Sequence, residues 1–157
     1  ALEGFAIDAA AAVMRITRLV PALLALAAAT VFAQGVDELK KFEGTWVLVE
    51  AKRDGQPVPA ADIGKGRITW KGKEVVTETP HQSKEPIKAT VTIPAPKSMD
   101  FTRANGPDAG KTMRAIYEFR SPDEYVIVFA PAGKDRPQAL DSKPGSGTYM
   151  HVWKRQK

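Results

Sequence analysis

Residues 87–93 read Ile87-Lys88-Ala89-Thr90-Val91-Thr92-Ile93, an unbroken alternation of apolar and polar side chains. Successive side chains of a β-strand point to opposite faces, so a period of two predicts a strand with one buried and one solvated face. The same pattern recurs on both sides of this stretch, and short turn-forming segments separate the recurrences. The predicted strands are 45–51, 67–71, 73–79, 87–93, 97–102, 113–119, 124–130 and 148–154.

Short strands joined mostly by tight turns predict an all-β, antiparallel fold. A lone sheet has exposed edges, and closing it into a barrel removes them. Because neighbouring strands follow one another as hairpins, an up-and-down barrel of about eight strands is favoured over a Greek-key sandwich. A short N-terminal helix is predicted over 34–42, where Val36, Leu39 and Phe42 share one face.

The first strand opens with Phe42-Glu43-Gly44-Thr45-Trp46, and the last strand runs into Val152-Trp153-Lys154-Arg155. A glycine here lets the chain bend sharply into the strand, and the tryptophan after it can plug one barrel end. A basic side chain from the last strand often packs over such an indole. These features resemble the lipocalin-like (calycin) architecture. We take six residues as its structural signature: Phe42, Gly44, Trp46, Trp153, Lys154 and Arg155.

Further motifs sharpen this resemblance along the chain. They are 54–59 (Asp-Gly-Gln-Pro-Val-Pro), 110–112 (Gly-Lys-Thr) before 116–118, 136–137 (Arg-Pro) and 142–147 (Ser-Lys-Pro-Gly-Ser-Gly). Together they resemble a family of small exported domains of unknown function, expanded in planctomycete bacteria and usually described as lipocalin-like. The resemblance spans about residues 38–155. It implies the fold and an exported location, but it carries no established activity, ligand or catalytic residue.

Residues 14–33 have the order of charge and hydropathy that is typical of a secretory signal peptide. Arg15 and Arg18 precede an apolar centre at 19–30, and Val31-Phe32-Ala33 forms a small-residue end. We therefore expect a signal peptide helix at 14–33, an upstream extension at 1–13 and one barrel domain at 34–157. The alternative is an uncleaved anchor, although the uncharged run of 17 residues from Leu19 is short for ~30 Å of hydrocarbon.

This leader predicts an exported protein, periplasmic or extracellular, with no stable membrane anchor once it is cleaved. The chain has 157 residues, a net charge of +5 and no cysteine. The absence of cysteine excludes disulfides and thiolate metal sites within this sequence. Its basic residues are spread along the chain rather than clustered, which argues against nucleic acid as a partner.

Motifs for catalysis or cofactor binding are weak in this sequence. Residues 106–112 approach a phosphate-binding loop, but the spacing is one residue short and the segment leads into a strand rather than a helix. His81 and His151 are the only histidines, too few by themselves for a zinc site. Ser146 lacks the strand-to-helix elbow of a hydrolase nucleophile. We predict no catalytic residue, no metal and no cofactor.

Two sets of residues are candidates for ligand binding. Glu50 would lie inside the barrel if the face of Trp46 and Leu48 points inward, and it would then need a basic partner such as Arg114 or Arg67. The long non-periodic segment 131–147 carries Lys134, Arg136 and Lys143, which could guard the barrel mouth and receive an anionic group. The favoured alternative is a clasp, in which three apolar residues of that segment pack across a barrel end: Pro137, Leu140 and Pro144.

The function that these observations favour is non-enzymatic binding of a small apolar or amphipathic ligand, or of an envelope component. Eight-stranded barrels have room only for side chains or one small ligand. If bulky inward residues fill the interior, the alternative is a surface interaction or structural module of the cell envelope. A small hydrolase or isomerase is the third hypothesis, and it requires convergent polar groups inside a pocket. The bulky residues in question are Trp46, Trp70, Phe101, Tyr117, Phe119, Phe129 and Trp153.

Overall fold

A computed structural model describes residues 35–157, so the predicted signal peptide and upstream extension lie outside the described residues. A short helix over 35–40 leads into the strands. These are β1 (Gly44–Arg53), β2 (Gln56–Pro57), β3 (Arg67–Lys71), β4 (Glu74–Glu78), β5 (Ile87–Ala95), β6 (Ser98–Arg103), β7 (Thr112–Ser121), β8 (Glu124–Phe129) and β9 (Tyr149–Arg155).

The strands form one antiparallel sheet that closes on itself. Apart from the two-residue β2, each strand pairs with its neighbours in chain order, and β9 pairs back onto β1. The result is a closed barrel of eight strands, with β2 as the short return of the β1 hairpin. The predicted all-β, antiparallel up-and-down barrel with a short N-terminal helix is confirmed. The architecture is compatible with a lipocalin-like fold.

The sequence pattern predicts a strand over 87–93, but β5 continues through Pro94 to Ala95. The pairing of β5 with β6 shifts register between Thr92 and Ala95, so the proline lies in an irregular part of the ladder. Proline has no backbone N–H to donate, and such irregularities are where a sheet tolerates it.

One end of the barrel, which we call the plugged end, is closed by Phe42. This side chain is fully buried, and its ring centroid lies 4.7 Å from that of Trp70, 4.7 Å from Phe119 and 5.0 Å from Tyr125. The Trp46 indole Nε1 donates a hydrogen bond of 2.7 Å to the carbonyl oxygen of Phe42. Aromatic packing and this buried hydrogen bond together fix the helix end over the barrel.

Arg155, at the end of β9, joins the plugged end to the rest of the barrel. Its guanidinium carbon lies 4.2 Å from the ring centroid of Trp46. Its Nη atoms donate to the carbonyl oxygens of Glu43 at 2.6 Å and Lys41 at 2.9 Å, and its Nε lies 3.2 Å from an Asp123 carboxylate oxygen. One side chain therefore connects β9, the segment before β1 and the β7–β8 turn.

The other signature residues occupy distinct positions around this contact. Gly44 has a φ of 104°, a conformation that glycine adopts without strain. Trp153 lies two residues before Arg155 on β9. It pairs with Leu48 of β1 and is buried inside the barrel. Lys154 is exposed and lies 3.3 Å from a Glu124 carboxylate oxygen. Of Lys154 and Arg155, Arg155 is the one that covers Trp46.

Residues 131–148, which we call the strap, run along the outside of the barrel. Arg136 donates hydrogen bonds to the carbonyl oxygens of Met99 at 2.9 Å and Ala115 at 2.7 Å, and it pairs with Asp100 at 2.6 Å. Leu140 packs on a second apolar cluster. That cluster lies on the outward faces of β8 and β9 and consists of Val126, Val128, Met150 and Val152.

The strap ends at the β1–β2 hairpin. Ser142 Oγ accepts a hydrogen bond of 3.0 Å from the Gly55 N–H and donates one of 2.8 Å to the Thr148 carbonyl oxygen. The Gly147 N–H donates to Asp54 Oδ1 at 2.8 Å. The segment is packed against the barrel, but Leu140 covers the outer wall of β8 and β9 rather than the barrel end that the clasp interpretation assigned to it.

We expect Arg155→Ala to lower the free energy of unfolding by about 2–3 kcal/mol, because it removes the cation over Trp46 and charged hydrogen bonds to two carbonyl groups. The matched control is Lys154→Ala, which removes only an exposed ion pair and should cost no more than about 0.5 kcal/mol. Urea unfolding followed by tryptophan fluorescence measures both. Equal effects of the two substitutions would show that Arg155 does not hold the barrel closed.

Gly55→Ala tests the docking of the strap. A Cβ at Gly55 would overlap the ring of Pro144, whereas a Cβ at Gly72 meets nothing within 4 Å, and both glycines have positive φ. Gly72→Ala is therefore the matched control. Both substitutions carry the strain of the positive-φ conformation, about 1–2 kcal/mol. Gly55→Ala should cost about 1–3 kcal/mol more in unfolding free energy, owing to the overlap. Equal thermal stabilities of the two variants would contradict the position of the strap.

Candidate functional site

A cavity of about 60 Å³ lies inside the barrel, on the side away from the plugged end. It reaches the end where the β4–β5, β6–β7 and β8–β9 connections lie, which we call the loop end. The lining is mostly apolar and comes from seven of the eight barrel strands and the β4–β5 connection. The lining residues are Ile68, Val75, Thr77, Gln82, Ile87, Ala89, Phe101, Arg103, Met113, Ile127, Phe129, His151 and Trp153.

The distribution of side-chain size along the barrel explains why the cavity lies where it does. The aromatic cluster around Phe42 concentrates the bulkiest inward residues at the plugged end. The cavity lining includes smaller inward groups, such as Val75, Thr77 and Ala89, between its larger side chains. Ala89 in particular is an inward position of β5 with only a methyl group, so the interior is incompletely filled there.

His151 is a deeply buried titratable residue of the cavity lining, with 2% of its surface exposed. Gln82 Nε2 lies 3.3 Å from His151 Nε2, and Gln82 Oε1 accepts a hydrogen bond of 3.0 Å from Thr79 Oγ1. An amide NH₂ only donates, so the imidazole Nε2 is the acceptor and the proton of the neutral ring is on Nδ1. Burial, reinforced by the nearby His81, lowers the pKa of His151 to about 3.

His81 is carried by the β4–β5 connection and meets His151 edge-on, with 5.5 Å between the ring centroids. Burial lowers its pKa as well. The carboxylate of Asp62 opposes this shift and Arg53 adds to it. Two neutral imidazoles therefore stand against each other where the β4–β5 connection meets β9. Protonating either ring would place a charge in this partly apolar contact.

Three buried polar atoms of the described residues have no hydrogen-bond partner: His81 Nδ1, His81 Nε2 and Trp153 Nε1. Trp153 lines the cavity and is 1% exposed. Buried donors in folded proteins are nearly always paired, and each unpaired one costs about 1–3 kcal/mol. The Trp153 nitrogen is itself fully buried, so this unpaired donor is shielded from solvent within the packed interior.

The structure corrects the predicted interior position of Glu50. Its side chain is exposed, because the pairing of β1 with β9 shifts register between Leu48 and Glu50. This bulge inserts one extra residue, so Ala51 takes the inward position that simple alternation assigned to Glu50. Arg114 also lies on the outer face, where its guanidinium is 3.8 Å from an Asp135 carboxylate oxygen. The predicted interior placement of both residues is wrong.

The basic residues of the strap do not line the cavity. Lys134 and Lys143 are exposed, and Arg136 is held against β6 and β7 by its backbone and carboxylate contacts. The charged residue in the lining is Arg103, at the end of β6. It was missed because no sequence pattern distinguishes it from other strand-end arginines. The sequence pattern does not place His151 in a cavity, although its mid-strand place between Met150 and Val152 is the available signal.

The lining offers little for acid–base or nucleophilic chemistry, since it includes no carboxylate, serine or lysine side chain. Within residues 35–157, no cluster of three or more histidine or carboxylate side chains is arranged to hold a metal ion. In the same range, no helix has the length and apolar character needed to cross a membrane. No family model, curated protein or solved structure matches the chain.

The buried imidazoles make stability depend on pH. The folded-state pKa of His151 lies below its ordinary value of 6.5, so its stabilising contribution is complete above pH 6.5 and is lost as pH falls toward about 3. We expect His151→Gln to flatten the fall in unfolding free energy between pH 6.5 and 5 by up to about 1.4 kcal/mol per pH unit.

The measurement is urea unfolding at several pH values, with the wild type and Lys154→Ala as references. His81 and His151 are the only histidines of the chain, so His81→Gln with His151→Gln should remove histidine titration entirely. A wild-type stability that stays constant from pH 6.5 to 5 would show that His151 is not buried in the neutral form.

Proposed function

We propose that this chain is an exported lipocalin-like protein that binds one small apolar or amphipathic ligand in the loop-end cavity and catalyses no reaction. The observation that carries the proposal is a mostly apolar cavity that reaches one end of a barrel whose other end is plugged. Membership of the planctomycete family of small exported domains, which the sequence motifs resemble, is part of the same proposal. Export itself rests on the signal-like pattern of residues 14–33.

The cavity volume limits the size of the ligand. About 60 Å³ is several times the ~10–15 Å³ that one water molecule requires, but well below the ~300–1,000 Å³ of drug-sized sites. A ligand of a few non-hydrogen atoms fits inside, and a longer one would extend through the loop end. This favours a compact ring or a short aliphatic group over a large pigment or sterol.

The surface-module alternative is supported by a different observation. The aromatic cluster at the plugged end fills its part of the interior, so only the loop end can receive a ligand. If the remaining space holds nothing but water, the protein acts through its outer surface on an envelope component. Binding measurements on a variant with a filled cavity decide between the two functions.

Two small cyclic molecules, cyclopentane and cyclopentanone, serve as probes of the cavity. Ala89→Phe should abolish the binding of both, because the larger side chain fills the cavity. Thr90→Phe is the matched control, since Thr90 is the exposed neighbour on the same strand and should leave binding unchanged. Titrations followed by backbone amide NMR shifts give the dissociation constants, and cooperative thermal unfolding reports that each variant folds. Ala89→Leu provides a milder filling if the phenylalanine disrupts the barrel.

The wild type should bind these probes and show shifts confined to amides around the cavity. No binding of either probe would contradict the proposed ligand site and favour the surface module. Equal binding by Ala89→Phe and the wild type would place the bound probe elsewhere.

A further inference from the structure

We propose that the ligand of the loop-end cavity is a small amphipathic anion, whose apolar body enters the cavity and whose carboxylate pairs with Arg103. The proposal rests on the proposed function and adds to it the charge and the head group of the ligand. It makes Arg103 a ligand-binding residue.

The side chain of Arg103 faces the interior of the barrel. Arg103 is the last residue of β6 and lines the cavity together with Phe101. Met99, Phe101 and Arg103 share one face of the strand by its period of two, and Met99 is fully buried. The residues between them face outward, since Asp100 forms an ion pair with the strap and Thr102 is exposed. The guanidinium therefore extends from the cavity side of β6.

The backbone of Arg103 is fixed at the loop end, while its side chain stays accessible. Arg103 pairs with Ala89 of β5. Its N–H donates to the Lys111 carbonyl oxygen at 3.0 Å, and its carbonyl oxygen accepts from the Gly110 N–H at 2.8 Å. Arg103 is partly exposed, so a ligand that enters from the loop end can reach it. This position suits a head group that remains at the opening while an apolar body enters the cavity.

Arg103 differs from the other six arginines of residues 35–157 in having no partner there for its charged group. The other six each contact a carboxylate, a backbone carbonyl group or an aromatic ring: Arg53, Arg67, Arg114, Arg120, Arg136 and Arg155. The pKa of Asp108 is lowered mainly by its hydrogen bond to Lys111 at 3.0 Å and least by the charge of Arg103, so this carboxylate is already engaged. Charged groups that border an apolar space are normally paired, and the partner that Arg103 lacks is an anion.

The remaining polar groups of the lining favour a ligand with one negative charge. Arg103 is the single charged residue among the described residues that line the cavity. Thr77 and Gln82 are neutral, and His151 is neutral because burial lowers its pKa to about 3. One guanidinium balances one negative charge, and its planar fork matches the two oxygens of a carboxylate. A cationic head group would be repelled by Arg103.

Three probes that share one ring test the charge of the ligand: cyclopentanecarboxylate, its neutral isostere cyclopentanecarboxamide, and cyclopentylamine. Each is titrated into the full chain near neutral pH, and backbone amide NMR shifts give the dissociation constants. We expect the carboxylate to bind about 10-fold more tightly than the carboxamide, because a charge-assisted hydrogen bond is stronger than a neutral one. Cyclopentylamine should bind more weakly than the carboxamide.

Arg103→Met keeps most of the side-chain length and removes the charge. It should weaken carboxylate binding about 10-fold and carboxamide binding less than about 2-fold. Arg103→Lys keeps the charge without the planar fork, and its carboxylate affinity should fall between those of the wild type and Arg103→Met. The matched control is Arg114→Met, which removes the same charge from the outer face of the neighbouring β7 and should leave both affinities unchanged. Equal losses in Arg103→Met and Arg114→Met would overturn the inference, because they would show a general effect of net charge.

A signal of the wild type keeps the inference testable if Arg103→Met does not fold. The ¹H–¹⁵N NMR signal of the Arg103 Nε–H, assigned by its loss in Arg103→Lys, should move when the carboxylate binds and stay in place when the carboxamide binds. A signal that both probes leave unmoved would overturn the inference.

The outcomes separate this inference from the proposed function. Binding of cyclopentane and of the carboxamide, with no preference for the carboxylate, would overturn the inference and leave the ligand site standing. A preference for the carboxylate that Arg103→Met leaves unchanged would have the same meaning. No binding of any probe would overturn the ligand site and the inference together.

Discussion

The pairing of β9 with β1 is the constraint on which the other features of this molecule depend. It joins residues 96 to 109 positions apart in the chain and leaves the barrel without a free edge. At one end of this seam Arg155 covers Trp46 and reaches the carbonyl groups of the segment that carries Phe42. Closing the barrel and plugging one end are therefore parts of the same set of contacts.

The inward positions of β9 connect that closure to the cavity. His151, Trp153 and Arg155 follow one another at the period of two that defines one face of a strand. Arg155 belongs to the plugged end, whereas His151 and Trp153 line the cavity. The outward positions of the same strand, Met150 and Val152, lie beneath the strap, which explains why β9 is buried on both faces.

Much of the architecture could be predicted from the sequence, because alternation is a local property. The pattern at 87–93 and its recurrences identified the eight strands, and the basic group at the chain end pointed to a contact with Trp46. The position of Glu50 could not be predicted in this way. A bulge adds a single residue to one strand, and it leaves the alternation of neighbouring residues looking regular on either side.

The presence of a cavity could not be predicted from local sequence patterns either, for a different reason. Whether the interior is filled depends on which inward side chains share a level of the barrel, and that depends on strand register across the whole sheet. The segment 131–147 looked like a candidate mouth because it is long and basic. Its actual position follows from Leu140, which finds an apolar surface on the outer faces of β8 and β9.

Cross-strand nuclear Overhauser contacts between β1 and β9 test the closed barrel most directly. The account predicts backbone contacts between Trp46 and Arg155 and between Leu48 and Trp153, together with slow amide exchange along both strands. An absence of these contacts, with β1 and β9 exchanging as rapidly as free sheet edges, would contradict it.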